Sequence, residues 1–344
     1  MASTDMTPAP VAAHDIAPVA PASPPDQREP LELEDGAIPR HLRRALSRRA
    51  QLVDDPRYCR LANGEGDGLP GLIIDRFDAY FAVQTISRAM DAHLEEITRS
   101  LVEVAGARSV ILRNDTPRRE TVGLKRERAR VLTGSPPRWT RLLELGARIT
   151  VDLHQGTETG YSYALREVRR AVGRLSQHQR VLDPACFVGG TIIQAGLHGA
   201  RYVVAFAEDP DAAELARENV EANGLMNRAM VATAAPLDAL QALHETFDLV
   251  LLHAPARGGD PRRWTEHFGE LIQLSLRATR HGGRLVLAAA DAALGTTPLE
   301  SYVLRACEQE DRLAWRLFRP AAPPDFPAMA GAPEALASVV LEIS

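Results

Sequence analysis

RVLDPACFVGGTIIQAGLHGA (residues 180–200) reads as a short apolar strand, a glycine turn and a helix. RYVVAFAEDPDAAELARENVEANG (201–224) repeats that order with a longer helix. FDLVLLHAP (247–255) and GGRLVLAAADAAL (282–294) read as a third and a fourth strand. Near-continuous apolar strands alternating with helices predict an α/β, Rossmann-like fold, a mostly parallel sheet covered on both faces. Ligands of such sheets bind outside the carboxyl ends of the strands, where the strand order reverses. The strand ends are therefore the places to question.

Upstream the pattern changes. Residues 38–54 have helical spacing and an arginine-rich exposed face. In YCRLANGEGDGLPGLIIDRFDAYFAVQTIS (58–87), Gly64, Gly66, Gly68 and the Leu69-Pro70-Gly71 turn set off short strands at 72–76 and 80–87. A helix is expected over 92–104, with Leu94, Ile97, Leu101 and Val104 on its core face, then the strand SVILRND (109–115). Strand, strand, helix, strand predicts a small α+β domain over 37–150, ahead of the Rossmann-like domain over 151–344. The first thirty residues hold seven prolines and seven alanines, with neither the basic start nor the apolar run of a secretory signal. A disordered tail is expected over 1–36.

Net charge is −5 and pI about 6.1, which gives no global electrostatic reason to expect a nucleic-acid binder. Lys125 is the only lysine, so the arginine clusters reflect a compositional bias as well as position. Three cysteines, Cys59, Cys186 and Cys307, lie too far apart for a zinc or disulfide pattern. They fit a reducing cytoplasm, and no apolar run reaches membrane-spanning length.

At the first strand end, DPACFVGG (183–190), the glycines admit a cofactor close to the backbone and to a helix amino end. The G-x-G-x-x-G fingerprint is missing, which argues against a redox dinucleotide enzyme. The spacing suits the glycine loop of S-adenosylmethionine (SAM) methyltransferases. NGEGDGLPGLIIDRF (63–77), the TGY of HQGTETGYSYALREVRR (154–170), VLDPACFVGG and ARENVEANGL follow one another in order. Together they resemble the bacterial large-subunit ribosomal RNA methyltransferases that make 5-methylcytosine, from about residue 40 to the end. The resemblance implies a class I SAM-dependent methyltransferase domain behind a central α+β domain. It implies that SAM is held around Thr159, Gly160, Tyr161, Asp183, Gly189, Gly190 and Glu208, with ribosomal RNA or an active paralogue as partner. It also implies that the PUA domain of those proteins is replaced here by the proline–alanine tail.

The chemistry of that family is then missing at its expected positions. Cytosine C5 methylation needs a cysteine thiolate to add to carbon 6 of the base. Where the family carries it, this chain has Ala288, Ala289 and Ala290. The family's Asp-Pro-Pro-Lys becomes His253, Ala254, Pro255 and Ala256. The ribose-binding acid becomes Ala207, with Glu208 one step along, and the adenine-facing aspartate becomes Ala234 or Ala235. In TGYSYALR, Thr159, Gly160, Tyr161 and Arg166 match the family, whereas Ala164 and Leu165 replace an aspartate and a glutamine. Glu158 stands where a lysine is usual.

A concerted loss of this kind predicts a pseudo-methyltransferase that keeps the fold and an RNA- or partner-binding role. The alternative is an active SAM-dependent methyltransferase whose nitrogen or oxygen acceptor needs no cysteine. His253 reads as a replacement general base or as a side chain that merely fills a strand end. Cys186 reads as a relocated nucleophile or as a small thiol packed under a turn. Glu208, followed by Asp209 and Asp211, reads as a ribose ligand or as a helix start. In RNDTPRRETVGLKRERAR (113–130), Arg118, Arg119, Lys125 and Arg126, with Arg257 further on, read as a phosphate-binding surface or as a solvated face.

Overall fold

The computed structural model describes residues 34, 36–156, 158–255, 260–289, 296–329 and 336–344. The tail expected over 1–36 lies outside the described residues up to residue 33, as do Ala256, Arg257 and Ala290.

The first sheet holds β1 (Tyr58–Asn63), β2 (Leu72–Phe77), β3 (Tyr80–Thr85), β4 (Ser109–Leu112) and β5 (Arg130–Thr133) in sequence order. Only the β3–β4 pair is parallel, and its crossover carries the helices. The helix expected over 92–104 is two: α2 (Arg88–Ala92) and α3 (Leu94–Ala105), parted at His93. Ser87 Oγ caps α2 by accepting the Met90 N–H, an interaction that favours a fresh start there. α1 (Ala37–Leu52) and α3 bury Ile38, Leu42, Ala45, Ile97 and Leu101 against Leu61, Ile74, Val83 and Leu112. α4 (Arg118–Thr121) is a single turn. The sheet thus contains two strands, β1 and β5, that the sequence reading lacked.

It also lacked the hairpin of β6 (Trp139–Glu144) and β7 (Ala147–Asp152). Its turn places Leu145 at φ 50° and Gly146 at φ 80°. Two consecutive positive φ values match the twist of a tight hairpin, but leucine is a rare occupant of that backbone region. The hairpin runs across residue 150, the expected domain boundary. Asn219 fastens it to the second half by accepting the Thr150 N–H at 2.7 Å and donating to the Thr150 carbonyl at 2.9 Å.

The second sheet is built from β8 (Arg180–Asp183), β9 (Tyr202–Ala207), β10 (Ala229–Thr233), β11 (Phe247–His253), β12 (Thr279–Ala289), β13 (Ala314–Phe318) and β14 (Ala337–Ile343). The spatial order is β10-β9-β8-β11-β12-β14-β13. Five strands are parallel, and β14 and β13 close one side in antiparallel fashion. α5 (Arg166–Leu175), α6 (Gly190–Leu197) and α7 (Pro210–Ala222) supply side chains to one buried cluster, and α9 (Pro261–Ala278) and α10 (Thr296–Gln309) to the other. α8 (Pro236–Ala242) adds Leu240 to the second cluster. Helices on both faces leave the central strands β8, β9 and β11 buried along almost their whole length, which is why they read as continuous apolar runs. The reversal of strand order falls between β8 and β11.

Candidate active site at the strand-order reversal

Asp183 and His253 end these two neighbouring strands. Val181 and Leu182 stand in register with Leu249 and Val250, so Asp183 comes level with Leu251 and His253 lies just beyond. Side chains alternate along a strand, and Val181, Leu249, Leu251, Ala205, Ala207 and Ala288 all belong to one buried cluster. Asp183 and His253 therefore share that face at the carboxyl end of the sheet. Between β8 and α6 the chain turns back sharply. Cys186 N–H donates to the Phe206 carbonyl at 2.8 Å, and Gly189 N–H to the Cys186 carbonyl at 2.8 Å. Gly189 adopts φ 88° with ease, whereas Phe187 is held at φ 51°, a strained conformation for a side-chain-bearing residue.

Burial sets the electrostatics. Asp183 Oδ1 accepts the Ala185 N–H at 3.1 Å, and Oδ2 has no partner among the described residues. Loss of solvent pushes the carboxyl up to about 7, with that single N–H a partial offset. His253 is also buried, and its Nδ1 has no partner among the described residues. Burial, assisted by the charge of Arg169, pulls its imidazole down to about 4, so the ring is neutral at physiological pH. Cys186 is buried too; burial first, then Asp183, hold its thiol well above the usual range. A protonated, enclosed thiol is no nucleophile, so of the two readings of Cys186 the packed one holds.

Among the described residues, the last positions of the other parallel strands are Ala207, Thr233 and Ala289, none of them an acid. Ala207 is 2% exposed and Ala288 3%, so both positions are filled by packed methyl groups. Glu208 is exposed, one residue past the end of β9. The β9–β10 register runs unbroken to Ala207 and Thr233, so no bulge turns Glu208 onto the face of Ala207. Asp209 Oδ2 caps α7 by accepting the Ala212 N–H at 3.1 Å, which is the helix-start reading of that acidic run. Ala234 N–H donates to the Ala207 carbonyl at 3.1 Å, and α8 begins at Pro236 with no side-chain cap.

The TGY segment is enclosed by the chain's own side chains. Thr159, expected at a cofactor, is fully buried and its hydroxyl donates to Asp75. Asp75 also accepts Arg60 Nε at 2.5 Å and Nη2 at 3.1 Å. Tyr161 OH donates to Glu144 at 3.0 Å, and its ring lies under the Arg169 guanidinium. Glu144 accepts Arg169 at 2.5 and 3.1 Å and Arg166 at 3.1 Å. Arg166 continues to Asp325 at 2.6 Å. Gly160 lies against the Asp152 carbonyl, and a side chain on Gly190 would meet Tyr161 OH at 2.7 Å. Polar groups leaving water must find partners, and these find each other. The residues of TGY thus join the two halves of the chain. In the NGEGDG motif, Asp67 is held within the first half, accepting Arg49 at 2.5 and 2.7 Å and Arg48 at 2.9 Å, while Asn63 Nδ2 crosses to donate to the Pro327 carbonyl at 3.2 Å.

Arg119 is likewise enclosed. Expected on a phosphate-binding surface, it is buried, with Nη1 and Nη2 donating to Asp91 at 2.9 and 3.0 Å and Nη2 to Glu127 at 3.0 Å. Arg118, Lys125 and Arg126 are exposed, and Arg126 pairs with Glu120 at 2.6 Å. The residue that sequence reasoning missed is Phe187. The residue is 41% exposed, and its ring centroid lies 5.9 Å from that of His253. The available signal was an aromatic residue inside a glycine turn.

The raised carboxyl of Asp183 predicts a pH effect. In the folded chain it keeps its proton up to about 7, well above the unfolded value. Its contribution to stability is therefore full below the unfolded value and is lost as pH rises toward 7. Urea midpoints of the wild type and Asp183→Asn, taken between pH 5 and 8, should diverge in favour of the variant as pH rises. A gap that stays constant with pH contradicts the assignment.

No family model matches the chain. By sequence it is similar to the protein named ribosomal RNA large subunit methyltransferase I of Klebsiella pneumoniae subsp. pneumoniae, 28% identical over 322 residues, covering 88% of this chain and 78% of the relative. Its counterpart in Salmonella arizonae is 30% identical over 253 residues, 72% of this chain and 60% of the relative. Among solved structures, a Streptococcus mutans chain described as a SAM-dependent methyltransferase superposes with TM-score 0.76 at 17% identity, covering 89% of this chain and 80% of that one. A methyltransferase in complex with SAH gives TM-score 0.75 at 17% identity, with the same coverages of 89% and 80%. The Methanocaldococcus jannaschii tRNA m1G37 methyltransferase gives 0.56 at 16% identity, covering 88% and 77%. These likenesses and the strand order give the fold: Rossmann-like, class I SAM-dependent methyltransferase.

Proposed function

We propose that this chain is a ribosomal-RNA-methyltransferase relative that engages RNA, and SAM as cofactor, without methylating cytosine C5. The observation that carries the reading is the state of the strand ends. Ala207 and Ala288 are packed alanines, and the sulfur of Cys186 is enclosed and protonated. Covalent addition to a pyrimidine needs an exposed thiolate, and none of the three cysteines, all of them buried, offers one.

SAM fits the site in part. The turn over residues 184–189 and the amino end of α6 supply backbone N–H groups, and Asp183 Oδ2 is a buried acceptor with no protein partner. The ribose side is weaker, because Ala207 offers no carboxylate and Glu208 faces solvent. SAM, when bound, supplies a sulfonium methyl group; the chain's own residues orient it and exclude water. Calorimetric titration is expected to give binding weaker than a site with a ribose carboxylate, by about 1.5–3 kcal/mol for the missing charged hydrogen bonds. No heat at millimolar SAM would remove the cofactor from the proposal.

A second reading, methyl transfer to a nitrogen or oxygen acceptor, is favoured by one observation, the unpartnered Nδ1 of neutral His253. In either reading the chain acts in the cytoplasm, with ribosomal RNA or an active paralogue as its partner. Exposed Arg118, Lys125 and Arg126 support an RNA contact through phosphates, which weakens steeply with salt. Co-sedimentation with unmodified ribosomal RNA at 50 and 200 mM salt tests it: retention that collapses at the higher salt is expected, and no retention at either rejects the RNA partner.

A further inference from the structure

At the amino ends of β8, β9 and β10, opposite Asp183 and His253, the chain surrounds a cleft of about 620 Å³, the size of a small-molecule site. Residues 176–179 lead from α5 into β8, 198–201 from α6 into β9, and 223–228 from α7 into β10. Hydrogen bonds stitch these three turns together. His178 N–H donates to the Gly199 carbonyl at 2.8 Å, Arg201 N–H to that of Gln179 at 2.8 Å, and Val203 N–H to that of Arg228 at 2.7 Å. Arg228 Nη1 adds a bond to the Ala200 carbonyl at 3.2 Å. The walls are thus held in place by the fold itself.

The cleft is lined by Gln177, His178, His198, Arg201, Asn227 and Arg228 around Gly199, with no carboxylate among them. Three helices end here, and the partial negative charge of a helix carboxyl end accounts for His198. Its Nδ1 donates to the Gln194 carbonyl at 2.9 Å, and its ring packs so closely that a side chain on Gly173 would meet it at 2.8 Å. Arg201 has no such account. It is exposed in the lead-in to β9, and its guanidinium has no hydrogen-bond or ion-pair partner among the described residues. Elsewhere on the surface Arg180, Arg217 and Arg277 each find a carboxylate. His178 holds φ 62°, an uncommon backbone state for a residue with a side chain, and such states gather at ligand sites.

We infer that this cleft binds a phosphate group, with Arg201 and Arg228 as its charged donors and His178 and Asn227 beside them. Basic side chains with no acid among them keep their positive potential for an anion from solution. A single guanidinium fork satisfies a flat carboxylate, whereas donors arriving from three separate turns suit the several oxygens of a phosphate. The same chemistry fits the backbone of an RNA chain and the phosphate of a small metabolite. The site lies at the far end of the sheet from the strand ends, so it stands or falls apart from the reading of SAM and of methyl transfer.

Inorganic phosphate is titrated into the full-length protein at constant pH, with chloride used to hold the ionic strength constant. The ring resonances of His178 and His198 are followed by carbon–proton correlation spectra. Phosphate is expected to move both saturably in the millimolar range, and chloride alone to leave them in place. Arg201→Ala should weaken that binding by about fivefold, the effect of losing one solvent-exposed ion pair. Its urea midpoint should match the wild type, and Arg305→Ala, an exposed arginine on α10, should bind phosphate as the wild type does. Two further titrations separate the sources. A short single-stranded RNA without terminal phosphates that moves the same rings assigns the site to an RNA backbone; movement by adenosine monophosphate alone assigns it to a small phosphorylated metabolite. Either result upholds the site. It is overturned if phosphate moves the rings no more than chloride does, if Arg201→Ala binds phosphate as the wild type does, or if Arg305→Ala weakens binding equally.

Discussion

Glu144→Ala is expected to lower the free energy of unfolding by about 3–5 kcal/mol, the usual cost of stripping one partner from a buried ion pair. Glu144 is enclosed and serves Arg166, Arg169 and Tyr161 at once. Burial alone would raise its carboxyl, but the two guanidinium groups hold it below the usual range. Removal leaves two buried cations with half their hydrogen bonds and no counter-charge beside Arg169. A loss of that size rivals the whole stability of a modest domain, about 5–15 kcal/mol. Urea denaturation at pH 7 measures it. The same variant should also lose part of the wild type's acid sensitivity. A depressed carboxyl contributes stability above its unfolded value and loses it as pH falls through the folded one. A shift below about 1 kcal/mol at pH 7 would mean that the network is not what joins the halves.

The parallel sheet was legible because its strands are continuous apolar runs between glycine turns and long helices. The hairpin β6–β7 was not. Its turn is Leu145-Gly146, and the Asn-Gly or Asp-Gly that usually announces such a turn is absent. The motifs NGEGDG and TGY could be recognised by resemblance, but their partners could not. Asp67 is held by Arg48 and Arg49 from a preceding helix, and Arg166 by Asp325 from far along the chain. Pairing over such separations is set by the fold and leaves no local periodicity. Arginine richness reads from the sequence as compositional bias, and that reading hides the arginines' part in the interior. Arg49, Arg60, Arg119 and Arg169 are buried because a planar, bidentate donor matches a carboxylate as lysine cannot. The alanines at the strand ends are readable only against a family pattern; the structure adds that Ala207, Ala288 and Ala289 are packed.

Methyl transfer to cytosine C5 is expected at background level, and this is the largest effect the site predicts. Removing a catalytic nucleophile costs on the order of 10⁶-fold in a serine protease. Here β12 carries Ala288 near its carboxyl end, and the thiol of the glycine turn, Cys186, is enclosed, with burial pushing it well above the usual range. Cys186→Ser should therefore leave the outcome unchanged. The direct measurement is incubation of the full-length protein with tritiated SAM and unmodified large-subunit ribosomal RNA, followed by nucleoside analysis of the product. No label in 5-methylcytidine is the predicted result; stoichiometric label in 5-methylcytidine would contradict the account.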